Sequence, residues 1–391
     1  MNFANDKRWL KSCFPDPTQH LLLQVCLSPE VEARAAWEKW IRSVNLDRLD
    51  PASSRLLPLL AQRVTALRIQ HRELPRLAGV LRHAWANNLT LRRQVERLLN
   101  EFSTEGVDHL LLKGFPLAFD IYPNPGARAM DDVDVLIPVE RAWEMLARLQ
   151  RNGWTPLQKV PVRRSSRPAE EALCFQHGVA FRSPDGGLHI DLHWYALEEC
   201  SYPGADTGFW SRKRRIRGVE NAWQLSPADQ LLHICVHGLR LNPISSIRWI
   251  PDALLILRRH AADIDWDVLF AETGQRRLFA TMQHALNYLA EFAPELVPTK
   301  VLQRFGNQHV TLLEWAAHRG NVGTSMLTQF AATWQRYRRM TPQRNAWTRP
   351  FGFSRFLQLA WGTDHVGAVA IHIFRRAAQR ATRHLQRYRK Q

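Results

Sequence analysis

The sequence has few of the residues that build disulfide frameworks, metal ribbons or membrane spans. Its 391 residues include only five cysteines, which lie far apart and form no C-x-x-C pair. This spacing argues against a zinc ribbon and a disulfide framework, and it favours a reduced, cytoplasmic protein. No run of 18 or more apolar residues occurs, which excludes a membrane-spanning helix. Early charges and prolines also argue against a signal peptide.

Acidic residues are scarce relative to basic ones. The chain has 36 Asp and Glu against 53 Lys and Arg, which gives a formal net charge of +17. Such an excess is typical of proteins that bind nucleotides, nucleic acids or anionic membrane surfaces. Only eight of the basic residues are lysines, however, and an arginine bias can also reflect the base composition of a genome. The charge alone therefore does not favour a nucleic-acid partner.

The hydrophobic pattern divides the chain into a helical beginning, a mixed centre and a helical end. Apolar residues at helical spacing predict one helix with Ser28 as its N-cap and a long helix over 74–102. A polar and basic loop is predicted over 158–172. Helices resume at Ser226, a second N-cap, and the final one, about 366–389, is strongly basic. The predicted strands are 107–112, 132–138, 173–181 and 188–195.

This order of elements predicts an α+β (mixed α/β) fold. A small mixed β-sheet core over 105–200 is flanked by an N-terminal helical region (1–104) and a C-terminal helical domain (201–391). We expect helices on one face of the sheet and acidic side chains exposed on the other.

Three aspartates are the candidate metal ligands. Side chains alternate along a strand, so Asp132 and Asp134 project from one face. Two adjacent carboxylates repel each other unless a cation lies between them, and Mg²⁺ or Mn²⁺ prefers such oxygen ligands. Asp191, in the middle of a predicted strand with His189 and His193 on its face, is the candidate third carboxylate. The sequence therefore predicts a metal site of Asp132, Asp134 and Asp191.

This arrangement suits phosphoryl or nucleotidyl transfer from an NTP. Bound metal ions lower the pKa of an attacking hydroxyl and stabilise charge on the leaving pyrophosphate. Gly114 follows the first strand and allows the backbone and the next helix start to approach phosphate oxygens. Lys113 and Arg128 are candidates to neutralise phosphate charge. A simpler role stays open for each: a strand-end lysine in solvent, and an arginine paired with Asp131 or Asp132.

The order of these motifs resembles a known family. The chain has K-G at Lys113, Y-P-x-P-G-x-R from Tyr122, D-x-D from Asp132 and h-D-h-H-W around Asp191. Together with the later helical segments, over roughly residues 75–295, this series is similar to the uncharacterised nucleotidyltransferase group of the DNA polymerase β superfamily.

The resemblance implies a nucleotidyltransferase core that uses Mg²⁺ (or Mn²⁺) and takes an NTP such as ATP as substrate. It assigns Gly114 to the glycine turn, Asp132 and Asp134 to the metal pair, and Asp191 to the third acid. Two departures stand out. Gly114 is followed by Phe115, where the superfamily usually has Gly-Ser or Gly-Gly, and the interval from Gly114 to Asp132 is long.

Other patterns with ligand-like spacing have simpler interpretations. A second D-x-D, at 263–265, has no glycine turn upstream and is interpreted as a helix start. His233 and His237 lie one helical turn apart but lack the glutamate of H-E-x-x-H, and we interpret them as packed histidines. Arg248 and Asp252 have the spacing of an intrahelical ion pair. The basic final helix is interpreted as a solvated face.

Three functions follow as hypotheses. The first is transfer of an NMP from an NTP to an unidentified acceptor hydroxyl or phosphate between the core and the C-terminal helices. The second is a catalytically inactive, nucleotide-binding regulatory protein. The third is an arginine-rich nucleic-acid-binding protein, whose binding would fall steeply with salt. The intact set of three acids favours the first. The acceptor, the base and the oligomeric state stay open at the level of sequence.

Overall fold

The computed structural model describes residues 13–162, 172–240, 242, 244, 246–322, 326–340, 349–360 and 367. Most of the predicted polar loop (158–172) and nearly all of the predicted basic final helix (366–389) lie outside these residues. The described chain is a mixed α+β fold in which one seven-stranded sheet is surrounded by helices, as predicted. The strands are β1 (Leu110–Leu112), β2 (Val133–Leu136), β3 (Thr155–Pro156), β4 (Gly178–Arg182), β5 (His189–His193), β6 (Arg214–Arg215) and β7 (Trp223–Gln224).

Helices precede and follow these strands. The first part of the chain forms α1 (Pro17–Leu27), α2 (Glu30–Ser43), α3 (Pro51–Ser54), α4 (Leu57–Ala66), α5 (Leu74–Thr104), α6 (Gly114–Pro116) and α7 (Ala142–Arg151). The later part forms α8 (Thr207–Ser211), α9 (Pro227–Gly238), α10 (Trp249–Arg259), α11 (Trp266–Gln275), α12 (Phe279–Phe292), α13 (Thr299–Gly306), α14 (Leu312–Val322), α15 (Met326–Met340) and α16 (Arg349–Ala360).

The helix starts follow the capping residues, with one exception. Ser226 caps α9 as predicted, and its hydroxyl accepts the N–H of Asp229. The long helix predicted over 74–102 is confirmed as α5. The prediction that Ser28 caps α2 is wrong, because Ser28 ends α1 by donating its N–H to the Gln24 carbonyl, and Pro29 precedes the first residue of α2.

The sheet has the order β3-β4-β5-β2-β1-β7-β6. Strand β2 lies between β1, to which it is antiparallel, and β5, to which it is parallel. The four predicted strands are present. Three of them are shorter than predicted, whereas the strand predicted over 173–181 is displaced to 178–182, because residues 172–175 are helical or in a turn. The central position of β2 places its side chains between two neighbouring strands, so the residues that flank Asp134 in space come from β1 and β5.

Two hydrophobic clusters cover the sheet. Leu111 and Val135 pack on one face with apolar residues of α5 and α7. Leu112 and Leu136 pack on the other face with the N-terminal and C-terminal helices. The expectation that the acids are exposed on this face is therefore wrong for Asp134, whereas Asp132 is exposed. Asp134 shares that covered face, and only 6% of its surface is exposed, because burial of the neighbouring leucines brings the helices over it.

The cysteines are part of these cores. All five are buried thiols, and a buried cysteine behaves as a small hydrophobic residue. In the described ranges, none of the helices combines the length and the apolarity that crossing a membrane requires.

Candidate active site

Two of the predicted acids are brought together by strand register. Asp134 of β2 pairs directly with Asp191 of β5 in the parallel ladder. Side chains in register on neighbouring strands project from the same face, so the two carboxylates lie side by side. His193, two residues after Asp191, shares that face, and its Nε2 lies 2.9 Å from Asp134 Oδ1. Ligand atoms of Asp134, Asp191 and His193 all lie within 4.8 Å of one another, which suits a metal ion.

Lys113 supplies a positive charge to this group. Its Nζ lies 2.5 Å from Asp134 Oδ1. Burial by itself would raise the pKa of Asp134, but the Lys113 ammonium and the hydrogen bond from His193 outweigh burial and hold that pKa well below its usual range. Lys113 has a φ of +50°, which non-glycine residues adopt only where surrounding contacts hold them. The ion pair with Asp134 is one such contact.

The pKa values of Asp132 and Asp191 are raised rather than lowered. Asp132 lies just before β2, exposed at the edge of the site. Partial burial of its carboxyl, followed by the charges of Asp134 and Asp191, raises the pKa of Asp132 to about 6. Burial and the charge of Asp134 also raise the pKa of Asp191. The three carboxylates therefore repel one another, and a divalent cation would relieve that repulsion.

The glycine turn is tightly packed. Gly114 begins α6 directly after Lys113. A Cβ at Gly114 would lie 3.1 Å from both Cγ and Sδ of Met130 and 3.9 Å from Nη1 of Arg128. The turn therefore lies against the end of the loop that begins at 123–126 (Pro-Asn-Pro-Gly) and leads to Asp132, here called the proline–glycine loop. More than a dozen positions separate Gly114 from Arg128 and Met130 in the sequence.

Arg128, the predicted phosphate ligand, is buried in a different contact. Its Nε and Nη2 donate to Oδ1 and Oδ2 of Asp252 at 2.8 and 2.9 Å, and the Tyr122 hydroxyl donates to Oδ1 at 2.7 Å. The backbone carbonyl of Arg128 accepts a 2.8 Å hydrogen bond from Asn88 of α5. These contacts hold the loop in place between α5 and α10.

Two residues near the site gain importance from the structure. His193 was placed on the face of Asp191 by its spacing of two, and the structure adds its contact with Asp134. The prediction of an Arg248–Asp252 ion pair is wrong, because the Asp252 carboxylate pairs with Arg128 instead. Arg248 instead donates from Nη1 to the Ala129 carbonyl at 3.0 Å. Nothing in the local sequence could show which of two arginines reaches Asp252.

The remaining candidates keep the simpler roles. His233 is buried and its Nε2 lies 3.0 Å from the Ala196 carbonyl oxygen, while its ring stacks with His237. The second D-x-D is confirmed as a helix start: Asp265 is the N-cap of α11, and its carboxylate accepts the Val268 N–H at 2.9 Å.

Comparison with known proteins agrees with the motifs. A family model described as "Uncharacterised nucleotidyltransferase" matches residues 52–294, which include every residue of the site. The chain belongs to this family. The chain is also similar to a solved structure described as an antigenic nucleotidyltransferase-like protein from Paracoccidioides brasiliensis. The alignment covers 55% of the present chain and 92% of the Paracoccidioides chain, with 14% identity and a TM-score of 0.33. No curated protein matches the chain.

Proposed function

We propose that the protein is a metal-dependent nucleotidyltransferase that moves an NMP from an NTP to an acceptor hydroxyl or phosphate. The observation that carries the proposal is the register of β2 and β5, which pairs Asp134 with Asp191. Membership in a nucleotidyltransferase family supports the same reaction class. The three acids predicted from the sequence, with Asp132 at the edge, are the proposed catalytic set.

The donor atoms fit Mg²⁺ or Mn²⁺. Carboxylate oxygens of Asp134 and Asp191 are hard ligands that both ions accept, and the imidazole of His193 adds a nitrogen donor. We propose that Asp132 completes the set from the exposed side. When bound, such ions would acidify the attacking hydroxyl and stabilise charge on the leaving pyrophosphate.

The chain's own groups prepare the site for an anionic substrate. Asp134 stays ionised because Lys113 and His193 hold its pKa low. We propose that the phosphate chain approaches the turn where Gly114 begins α6, directly after Lys113. The helices over this face bury Asp134 and His193, which strengthens the electrostatic interactions of these two side chains.

The acceptor is proposed to lie between the sheet and the C-terminal helices. Helix α10 contacts the proline–glycine loop through Asp252, and α9 contacts the segment after β5 through His233 and the Ala196 carbonyl. This proposal keeps the division into an N-terminal helical region (1–104), a core (105–200) and a C-terminal helical domain (201–391).

Pyrophosphate release tests the proposal. The protein is incubated with each of the four NTPs, Mn²⁺ and a panel of candidate acceptors, and transfer is followed by pyrophosphate release and by the mass of the acceptor. Asp134→Asn is the blank, and Asp263→Asn in the second D-x-D is the matched control. Release that persists in Asp134→Asn contradicts the proposal. Metal-dependent NTP binding without release would instead favour a regulatory, nucleotide-binding protein.

A further inference from the structure

Two guanidinium groups share one carbonyl oxygen beside the glycine turn. Nη1 of Arg128 and Nη1 of Arg248 each donate to the Ala129 carbonyl at 3.0 Å. The shared acceptor places both groups against the loop that leads into Asp132. Nη1 of Arg128 also lies 3.9 Å from the Cβ position of Gly114. The pair therefore lies beside the glycine turn, on the loop segment that precedes Asp132.

Only one of the two charges is compensated. Both oxygens of Asp252 are occupied by Arg128 and Tyr122. Among the residues that the structure describes, no carboxylate lies within ion-pair distance of Arg248, although Asp252 is four residues ahead of it in the same helical segment. Arg248 thus forms no direct ion pair with any described residue, and the Ala129 carbonyl is the contact of its guanidinium.

The electrostatics agree with this arrangement. Burial, followed by the charge of Arg128, lowers the pKa of Arg248 to about 10; the charge of Asp252 opposes this shift, and exposed Arg55 adds to it. Arg248 in turn opposes the rise in the pKa of Asp132, so the two side chains are within electrostatic reach of each other. An anion beside Arg248 would relieve the repulsion among the three arginines.

We infer that Arg248, rather than Arg128, binds the phosphate chain of the substrate, with Gly114 on one side and the acids on the other. The inference rests on the proposed nucleotidyl transfer for the identity of the anion. A guanidinium offers two parallel N–H donors that match two phosphate oxygens, and Arg248 keeps donors beyond the one used on Ala129. Arg128 holds the loop through both oxygens of Asp252, and Arg248 has no such carboxylate contact among the described residues.

The test is binding of inorganic tripolyphosphate in EDTA, measured by calorimetry. The wild-type protein should bind, and Arg248→Met should bind at least about tenfold more weakly, as expected for loss of a hydrogen bond to a charged group. Arg248→Lys keeps a donor for Ala129 and a positive charge, but not the paired donors, and should fall between the two. Arg259→Met removes the same charge from the exposed end of α10 and should stay within about twofold of wild type.

The result that overturns the inference is tripolyphosphate binding that Arg248→Met leaves unchanged, or a wild-type protein that does not bind it. A Met variant that has lost its fold is recognised by thermal denaturation, and Arg248→Lys then decides. The two proposals fail separately. Arg248-dependent binding in EDTA without NTP turnover would contradict nucleotidyl transfer and support the anion site. Turnover with an unchanged KM for NTP in both Arg248 variants would support nucleotidyl transfer and contradict the anion site.

Discussion

Arg128 and Asp252 form a buried, two-bond ion pair across 124 positions of the chain. Their side chains are only 6% and 3% exposed. This contact fastens the loop between α6 and β2 to α10, so it joins the sheet to the C-terminal helices. The geometry also gives the arginine of the Y-P-x-P-G-x-R motif a structural role, because its contact with Asp252 fixes the backbone that leads into Asp132.

Breaking this pair should destabilise the protein strongly. Asp252→Asn leaves the Arg128 charge buried without its carboxylate, and such changes cost about 3–5 kcal/mol. Urea denaturation measures the free energy of unfolding. The matched control is Arg42→Met, which removes an exposed i,i+4 partner of Glu38 and should cost less than about 1 kcal/mol. Similar losses in both variants would contradict the structural role of the pair.

Asp134→Asn should weaken Mn²⁺ binding at least about tenfold, because it removes a charged ligand oxygen and leaves Lys113 without its partner. Electron paramagnetic resonance measures free Mn²⁺ directly. Asp263→Asn changes the first acid of the other D-x-D, which is exposed, and should bind the ion like wild type. Equal Mn²⁺ affinities of the wild type, Asp134→Asn and Asp263→Asn would show that Asp134 is not a ligand of the metal ion.

Asp132 should make stability depend on pH in a distinctive direction. Its pKa in the fold is raised to about 6, above the usual value of 3.8, so the folded state holds a proton more tightly than the unfolded state does. Ionised Asp132 therefore opposes folding above pH 6, and this cost is relieved as the pH falls from 6 towards 4.

In EDTA, Asp132→Asn should thus be more stable than wild type at pH 7 to 8, and the difference should vanish near pH 4. Chemical denaturation at several pH values gives the comparison. A difference that is constant across the range would show that Asp132 does not titrate in this way.

Two glycines linked to α5 should respond in opposite ways to a methyl group. A Cβ at Gly126 would lie 2.7 Å from Cβ of Trp85 and 2.9 Å from the Leu81 carbonyl oxygen, so Gly126→Ala should cost about 1–3 kcal/mol. Gly79, inside α5, has no atom within 4 Å of its Cβ position, and Gly79→Ala should stabilise the helix by about 0.5–1 kcal/mol. Denaturation of both variants tests the close approach of the loop to α5; a neutral Gly126→Ala would argue against it.

Local sequence was enough for the elements and for part of the site. The apolar stripe of α5, the cap at Ser226 and the four core strands follow from periodicity and capping, which are properties of neighbouring residues. Asp134 could be nominated from the D-x-D pattern, and Asp191 from its position in the middle of an apolar strand. Their direct pairing required the register of β2 and β5, which sequence spacing leaves open.

By itself, the sequence determined the class of fold, the family and the residue types that could bind a cation and a phosphate. The tertiary structure alone decided the partners of the charged groups: Lys113 pairs with Asp134, Arg128 pairs with Asp252, and Arg248 donates to the Ala129 carbonyl. The physical reason is range. Backbone preferences act over a few residues. An ion pair between distant segments depends instead on which helices cover the sheet and on which side chain the packing places against a buried carboxylate.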